Sequence, residues 1–313
     1  MGGHQHGQGH AAEHGHGGGH AHGGGHAQGG DHGHGGSDVD WDAMGDMLER
    51  RGELYTPLYR QIVDDLAKLI GEPGRVVDAG SGPGVISTLL AEAFPDAAVT
   101  AVDEAPDLLR RARTRAERLG VDDRLTTLRA ELPDGLGDMT DADVVWLGQA
   151  LHHLGDQGAA LGEFARRMAP GGVLVLLEGG LPARYLPRQF GFGRPGLQAR
   201  MDALHAEWFE EMRAGLPGAK EETEDWSALL AQAGLRHAGS RTYLLDLPAP
   251  LSDVGREHVV ATVARMRSGL AQGLAEDDVR ALDRLLDPAD PESLYRRGDL
   301  FVLDAQTVHF AVR

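Results

Sequence analysis

The stretch "RVVDAGSGPGVISTLLAEAFPDAAVTAVDEAPDLLRRARTRAERLG", residues 75–120, constrains the fold more than any other part of the chain. Arg75 to Asp78 is a short apolar run that stops at Gly80, the pattern of a buried parallel strand. From Val85, apolar residues at 85, 86, 89, 90 and 93 recur on one face of a helix. Ala98 to Val102 is a second strand-like run and ends at Asp103. Pro106 to Leu119 then reads as a second helix with a basic outer face. Strand, glycine turn, helix, strand and acid make a βαβ unit, which builds a parallel sheet covered by helices.

The glycine turn decides what such a unit can bind. Gly80, Ser81, Gly82, Pro83 and Gly84 follow G-x-G-x-G, and position 85 is Val. A dinucleotide fingerprint wants a small residue at 85, where helix, strand and pyrophosphate come closest. Pro83 removes a backbone N–H that a phosphate would use. Asp78, at the mouth of the turn, repels a pyrophosphate but suits an ammonium or sulfonium group. The run "VVDAGSGPG" therefore resembles the first motif of the class I S-adenosylmethionine-dependent methyltransferases. The resemblance implies a Rossmann-like, doubly wound α/β sheet of seven strands in the order 3-2-1-4-5-7-6. It also implies that S-adenosylmethionine is held by Asp78, Gly80, Ser81, Gly82 and Gly84, with Asp103 on the ribose hydroxyls and Glu104 beside it. A nicotinamide-dependent oxidoreductase is disfavoured by Val85 and Asp78.

Later segments extend the resemblance. Leu125 to Leu128 reads as a third strand, and "DADVVWLGQALHHL" carries a fourth at Val144 to Leu147, before a loop and a helix start. By the resemblance, Leu147, Gly148 and Gln149 border the cofactor. "RRMAPGGVLVLLEGG" gives a fifth strand at Val173 to Leu177; further strands are expected near 236–245 and at the end of the chain. Relatives often place an Asp after the third strand to contact adenine; here the text is "RAELPD", so Glu131 is the candidate from a shifted register, against a plain solvated acid.

Residues 37–70 are expected to form N-terminal lid helices and 71–313 the catalytic domain, with insertions at about 181–222 and 252–297 acting as lids. Trp41, Tyr55, Phe190, Phe192, Trp208 and Phe209 are candidates to wall the acceptor; the alternative for each is ordinary packing. His152 and His153 are candidate bases, since imidazole can take a proton from a hydroxyl or ammonium acceptor. Positioning supplies much of the acceleration of methyl transfer, so a base is not strictly required. The expected activity is methylation of a small molecule at O, N or C. The alternative is a catalytically silent protein that binds S-adenosylmethionine or buffers metal.

Composition fits this picture. The net charge of −18 argues against a general nucleic-acid binder, and no run is long and apolar enough to span a membrane. Cysteine is absent, which excludes disulfides and thiol nucleophiles. No secretory signal pattern is present, so a cytoplasmic protein, monomer or homodimer, is expected. Residues 1–36 hold 10 of the 16 histidines and 16 of the 45 glycines and almost no aliphatic side chains, so they are expected to stay disordered. His4, His6, His14, His16, His20, His22, His32 and His34 are candidate ligands for Ni, Zn, Cu or Co there; no metal site is expected in the folded domain.

Overall fold

Strands buried on both faces organise the centre of the molecule. The computed structural model describes residues 41–137 and 139–313, with side chains from residue 44 onward. The histidine-rich segment, its metal-ligand candidates and the Trp41 side chain lie outside the described residues. The chain begins with α1 (Trp41–Ile70), then β1 (Arg75–Ala79), α2 (Val85–Ala93), β2 (Ala98–Asp103), α3 (Pro106–Leu119), β3 (Leu125–Arg129) and β4 (Ala142–Gly148). Next come α4 (Gln157–Arg167), β5 (Met168–Arg184), α5 (Leu197–Ala214), α6 (Trp226–Gln232) and β6 (Arg236–Leu247). The last elements are α7 (Asp253–Gly269), α8 (Glu276–Leu286) and β7 (Val302–Val312).

The strands form one seven-stranded sheet in the order β3-β2-β1-β4-β5-β7-β6, as the resemblance implied. β1 to β5 pair in parallel, while β7 runs antiparallel to both β5 and β6. Because side chains alternate across a strand, Val144 and Trp146 pack into one apolar layer and Val145 and Leu147 into the other. Both layers are needed: a parallel sheet this apolar must be covered on each face.

Three features differ from the sequence expectation. The N-terminal segment from Trp41 is one helix whose Leu58, Ile62 and Leu66 are fully buried in the core. The basic outer face of α3 does not face water alone. Arg115 reaches Glu53 at 2.7 Å and Glu49 at 3.2 Å, and Arg111 reaches Asp46 at 2.6 Å, so the acids of α1 clamp the two helices. β5 also continues past Leu177 to Arg184, with irregularities in its pairing to β7 around Gly179 and Gly180. A Cβ at Gly180 would lie 2.1 Å from the Ala305 carbonyl oxygen, so only glycine lets the strand bend there. Segment 181–222 thus begins as sheet and continues into α5; segment 252–297 holds α7 and α8.

α1 also spans one end of the sheet. Gly52 lies against Val85 at the start of α2, and Arg51 donates to the Gln149 side-chain oxygen just beyond β4 at 2.7 Å. If α1 is part of the core rather than a detachable cover, Leu58→Ala should cost about 2–5 kcal/mol of global stability. Denaturant melts should then show one cooperative transition at a lower midpoint; a separate early transition for α1 would contradict this.

Candidate active site

The turn between β1 and α2 is built by three glycines for different physical reasons. Gly80, Gly82 and Gly84 all have positive φ, at 77°, 54° and 78°. A Cβ at Gly84 would sit 2.5 Å from the Ala112 Cβ, so α3 packs directly on this position. A Cβ at Gly82 would meet nothing within 4 Å and would project into open space. That space is where a ligand can approach the backbone.

Asp103 closes the turn from the end of β2. One carboxylate oxygen accepts from the Gly82 amide and the other from the Ala105 amide, each at 2.9 Å. Burial raises the Asp103 carboxyl above the ordinary range, against the lowering effect of these amide bonds. Beneath the turn, Asp78 is almost fully buried and accepts from the Ser87 hydroxyl at 2.5 Å. Burial pushes it up to about 7, the Ser87 bond opposes this, and the charge of Asp103 adds to it. A cation placed nearby would favour its ionised form. The buried Ser81 hydroxyl has no hydrogen-bond partner among the described residues. Open space, an unpartnered hydroxyl and two carboxylates suit a ligand with a cationic centre and hydroxyl groups.

The end of β4 forms the next wall. Leu147 is fully buried, so only its backbone can take part in binding. Gln149 holds φ at 55°, uncommon for a residue with a side chain, and its side chain is fixed by Arg51. His152 and His153 lie in a single tight turn, Leu151–His153, and not at a helix start; α4 begins only at Gln157, capped by Asp156. The sequence offers the reason: Gly155 separates the two segments, and Asp156 supplies the cap that accepts the Ala159 amide at 2.8 Å.

Glu178, near the bend in β5, was not singled out from the sequence as a site residue. Its carboxylate accepts the Leu151 amide at 3.1 Å and faces His152 Nδ1 at 3.0 Å. A carboxylate only accepts, so this bond puts the proton on Nδ1 and leaves Nε2 as the basic nitrogen. The His153 ring lies tilted against His152, with ring centroids 4.2 Å apart. Its surface reaches solvent, yet the crowding protein, the His152 ring and Arg213 hold its imidazole down at about 4.

The remaining expected residues divide. Glu104 and Glu131 are exposed at the ends of β2 and β3, close enough that their charges act on one another. Tyr55 is buried, and its hydroxyl donates to Asp304 at 2.6 Å. Phe190 and Phe192 pack edge to face at 4.9 Å, with Arg284 over Phe192 at 4.0 Å and Arg297 over Phe190 at 5.8 Å. Those contacts join them to α8 and its following loop, not to the glycine turn. Trp208 is 46% exposed beside His205, whereas the neighbouring Phe209 lies 5.5 Å from the His152 ring. Among the described residues, no group of three or more His, Asp or Glu is placed to hold a metal ion. No described helix is long and apolar enough to cross a membrane.

A second polar group surrounds Tyr55. His258 of α7 lies 5.9 Å from the Tyr55 ring and 6.0 Å from the Tyr185 ring. Burial, then the fields of Arg51 and Arg265, lower its imidazole to about 4.

Comparison with known proteins agrees with the topology. A family model described as a methyltransferase domain matches residues 76–172. A trans-aconitate 2-methyltransferase of Methylobacterium nodulans is 30% identical over 210 residues, covering 64% of this chain and 76% of that protein. A demethylmenaquinone methyltransferase of Thermus thermophilus is 37% identical over 123 residues, 38% of this chain and 53% of that protein. An uncharacterized protein of Synechococcus sp. is 37% identical over 108 residues, 34% of this chain and 26% of that protein. The chain thus spans about half the length of the Thermus protein and about a quarter of the Synechococcus one.

The depressed His258 gives a stability prediction. The unfolded chain takes up this proton near the ordinary value of 6.5, but the folded protein refuses it until about 4. Falling pH through that window therefore favours unfolding, by up to about 3 kcal/mol from this residue. His258→Gln should flatten the loss of stability between pH 6.5 and 4, measured by urea melts at several pH values. An unchanged slope would show that His258 is not held neutral.

Proposed function

Because the chain belongs to the class I S-adenosylmethionine-dependent methyltransferases, we propose that it binds S-adenosylmethionine at the glycine turn and methylates a small molecule. The open approach at Gly82, whose amide Asp103 holds, carries this reading. S-adenosylmethionine, when bound, supplies a methyl group activated on a sulfonium.

Each residue of the turn has a role in the proposal. Asp103 accepts from the ribose hydroxyls while keeping its bonds to the Gly82 and Ala105 amides. Asp78 supplies negative charge beneath the turn, and a cationic ligand favours its ionised form. Gly80, Ser81, Gly82 and Gly84 provide the close backbone, and Gly148 and Gln149 border the crevice from β4. Glu104 and Glu131 stand near its nucleoside end. His152 takes the proton from a hydroxyl or ammonium acceptor through Nε2, and Glu178 is its positioning residue. His153, held near 4, is the weaker base. Names among the relatives that refer to small-molecule methylation support a small acceptor.

The alternative is a protein that binds S-adenosylmethionine without turning it over. Formation of S-adenosylhomocysteine in the presence of an acceptor separates the two.

Asp103→Ala should weaken S-adenosylmethionine binding by about tenfold or more, since it removes charge-assisted bonds of roughly 1.5–3 kcal/mol each. The same change releases the Gly82 amide, so the turn should also loosen locally while the global fold is kept. Gly82→Val should abolish binding, because it needs a strained φ and fills the open approach. Equilibrium dialysis, with circular dichroism as the folding check, reads both. Unchanged affinity in folded variants would refute the assignment of the turn.

A further inference from the structure

Beyond the glycine turn, one cluster of polar side chains is left unexplained by the cofactor. It is assembled from four elements: Arg51 and Tyr55 on α1, Tyr185 just past β5, His258 on α7, and Asp304 and Gln306 on β7. Tyr55 and Tyr185 flank His258 at 5.9 and 6.0 Å, and the Arg51 guanidinium lies 5.1 Å over the Tyr55 ring. Arg51 also touches Gln149, so the cluster adjoins the β4 wall of the proposed cofactor crevice.

Its hydrogen bonding is incomplete. Asp304 accepts from the Tyr55 hydroxyl at 2.6 Å and from Gln306 Nε2 at 3.2 Å, both on Oδ2. His258 is 8% exposed, and its buried Nε2 has no partner among the described residues. The buried Gln306 Oε1 is likewise unpartnered. Buried polar atoms in this state are uncommon and call for a ligand or water.

The charges are also unbalanced. His258, Thr262 and Arg265 are spaced by four and three residues, so they share one face of α7. Neither Arg51 nor Arg265 has a carboxylate within ion-pair distance among the described residues. Burial and then the charge of Arg51 lower Arg265, so the two cations act on each other. Arg265 also adds to burial in lowering His205 on α5. Tyr185, pushed by burial up to about 12, stays neutral. Arg51 feels the charge of Asp304, and Arg265 feels that of Arg51, so the cluster holds two guanidiniums in a chain with a net charge of −18.

We propose that this cluster is the acceptor subsite and that the acceptor is a small organic acid whose carboxylate binds Arg51 and Arg265. His258, neutral and protonated at Nε2, donates to a carboxylate oxygen or a neighbouring oxygen of the acceptor. Arg51 lies deeper, against Gln149, and Arg265 reaches solvent from α7, so the acid is drawn inward between them. The inference rests on the methyltransferase reading for its location, because the subsite adjoins the crevice assigned to S-adenosylmethionine.

The test is calorimetric titration of the full chain with malonate, glutarate, tricarballylate and benzoate, each against its amide. Titrations are run with and without saturating S-adenosylhomocysteine. At least one acid should bind while its amide does not, and added salt should weaken the binding. Arg265→Gln, on the solvent side, should lower that affinity by about tenfold and leave S-adenosylhomocysteine affinity unchanged. Arg51→Gln should do at least as much; its melting curve reports whether it folds. Failure of S-adenosylhomocysteine to bind would count against the methyltransferase reading separately from the acid titrations. No acid binding, or binding equal in acid and amide or in wild type and Arg265→Gln, would overturn the anionic subsite.

Discussion

The Asp103 carboxylate spans two backbone amides, and the shape of the whole site depends on that bridge. By holding Gly82 at one oxygen and Ala105 at the other, it ties the glycine turn to the start of α3. Gly84 then lets α3 pack against the turn through Ala112. The result is a backbone held open at Gly82, with nothing within 4 Å of where a side chain would begin. An acid at the end of a strand thus shapes the protein before it meets any ligand. Its charge also raises Asp78 beneath the turn, so the two carboxylates act on each other, and a nearby cation favours the ionised form of Asp78.

α1 builds the opposite wall. Its apolar face is buried in the core, its acids pair with the arginines of α3, and Arg51 fixes Gln149. One helix therefore couples the glycine turn, the β4 end and the polar cluster around Tyr55 and His258. Stability and site geometry are carried by the same side chains, which leaves little room for α1 to move as an independent lid.

Much of the fold was legible because parallel strands buried on both faces read as short apolar runs, and glycines mark where they stop. The run from Arg75 to Asp103 carried both periodicities and the turn chemistry within thirty residues. Residues joined only by tertiary contact were not legible. Glu178 is one acid in an apolar strand, and its partner His152 lies 26 positions upstream. Arg51, Tyr185, His258 and Asp304 meet from four separate elements, and no local pattern links them. The basic face of α3 looked solvated because its acidic partners precede it by about 60 positions. Phe190 and Phe192 are aromatics the sequence singles out, but that Arg284 and Arg297 lie over their rings is visible only in the fold. The extension of β5 was hidden by Gly179 and Gly180, which signal a stop in sequence and serve as a bend in the sheet.

A crystal structure of the full chain grown with S-adenosylhomocysteine tests the central claim most directly. The ribose hydroxyls should lie within hydrogen-bond distance of both Asp103 oxygens, with the amino-acid portion over Gly82. Density for the molecule elsewhere, or an Asp103 carboxylate facing only the Gly82 and Ala105 amides in the complex, would contradict the account.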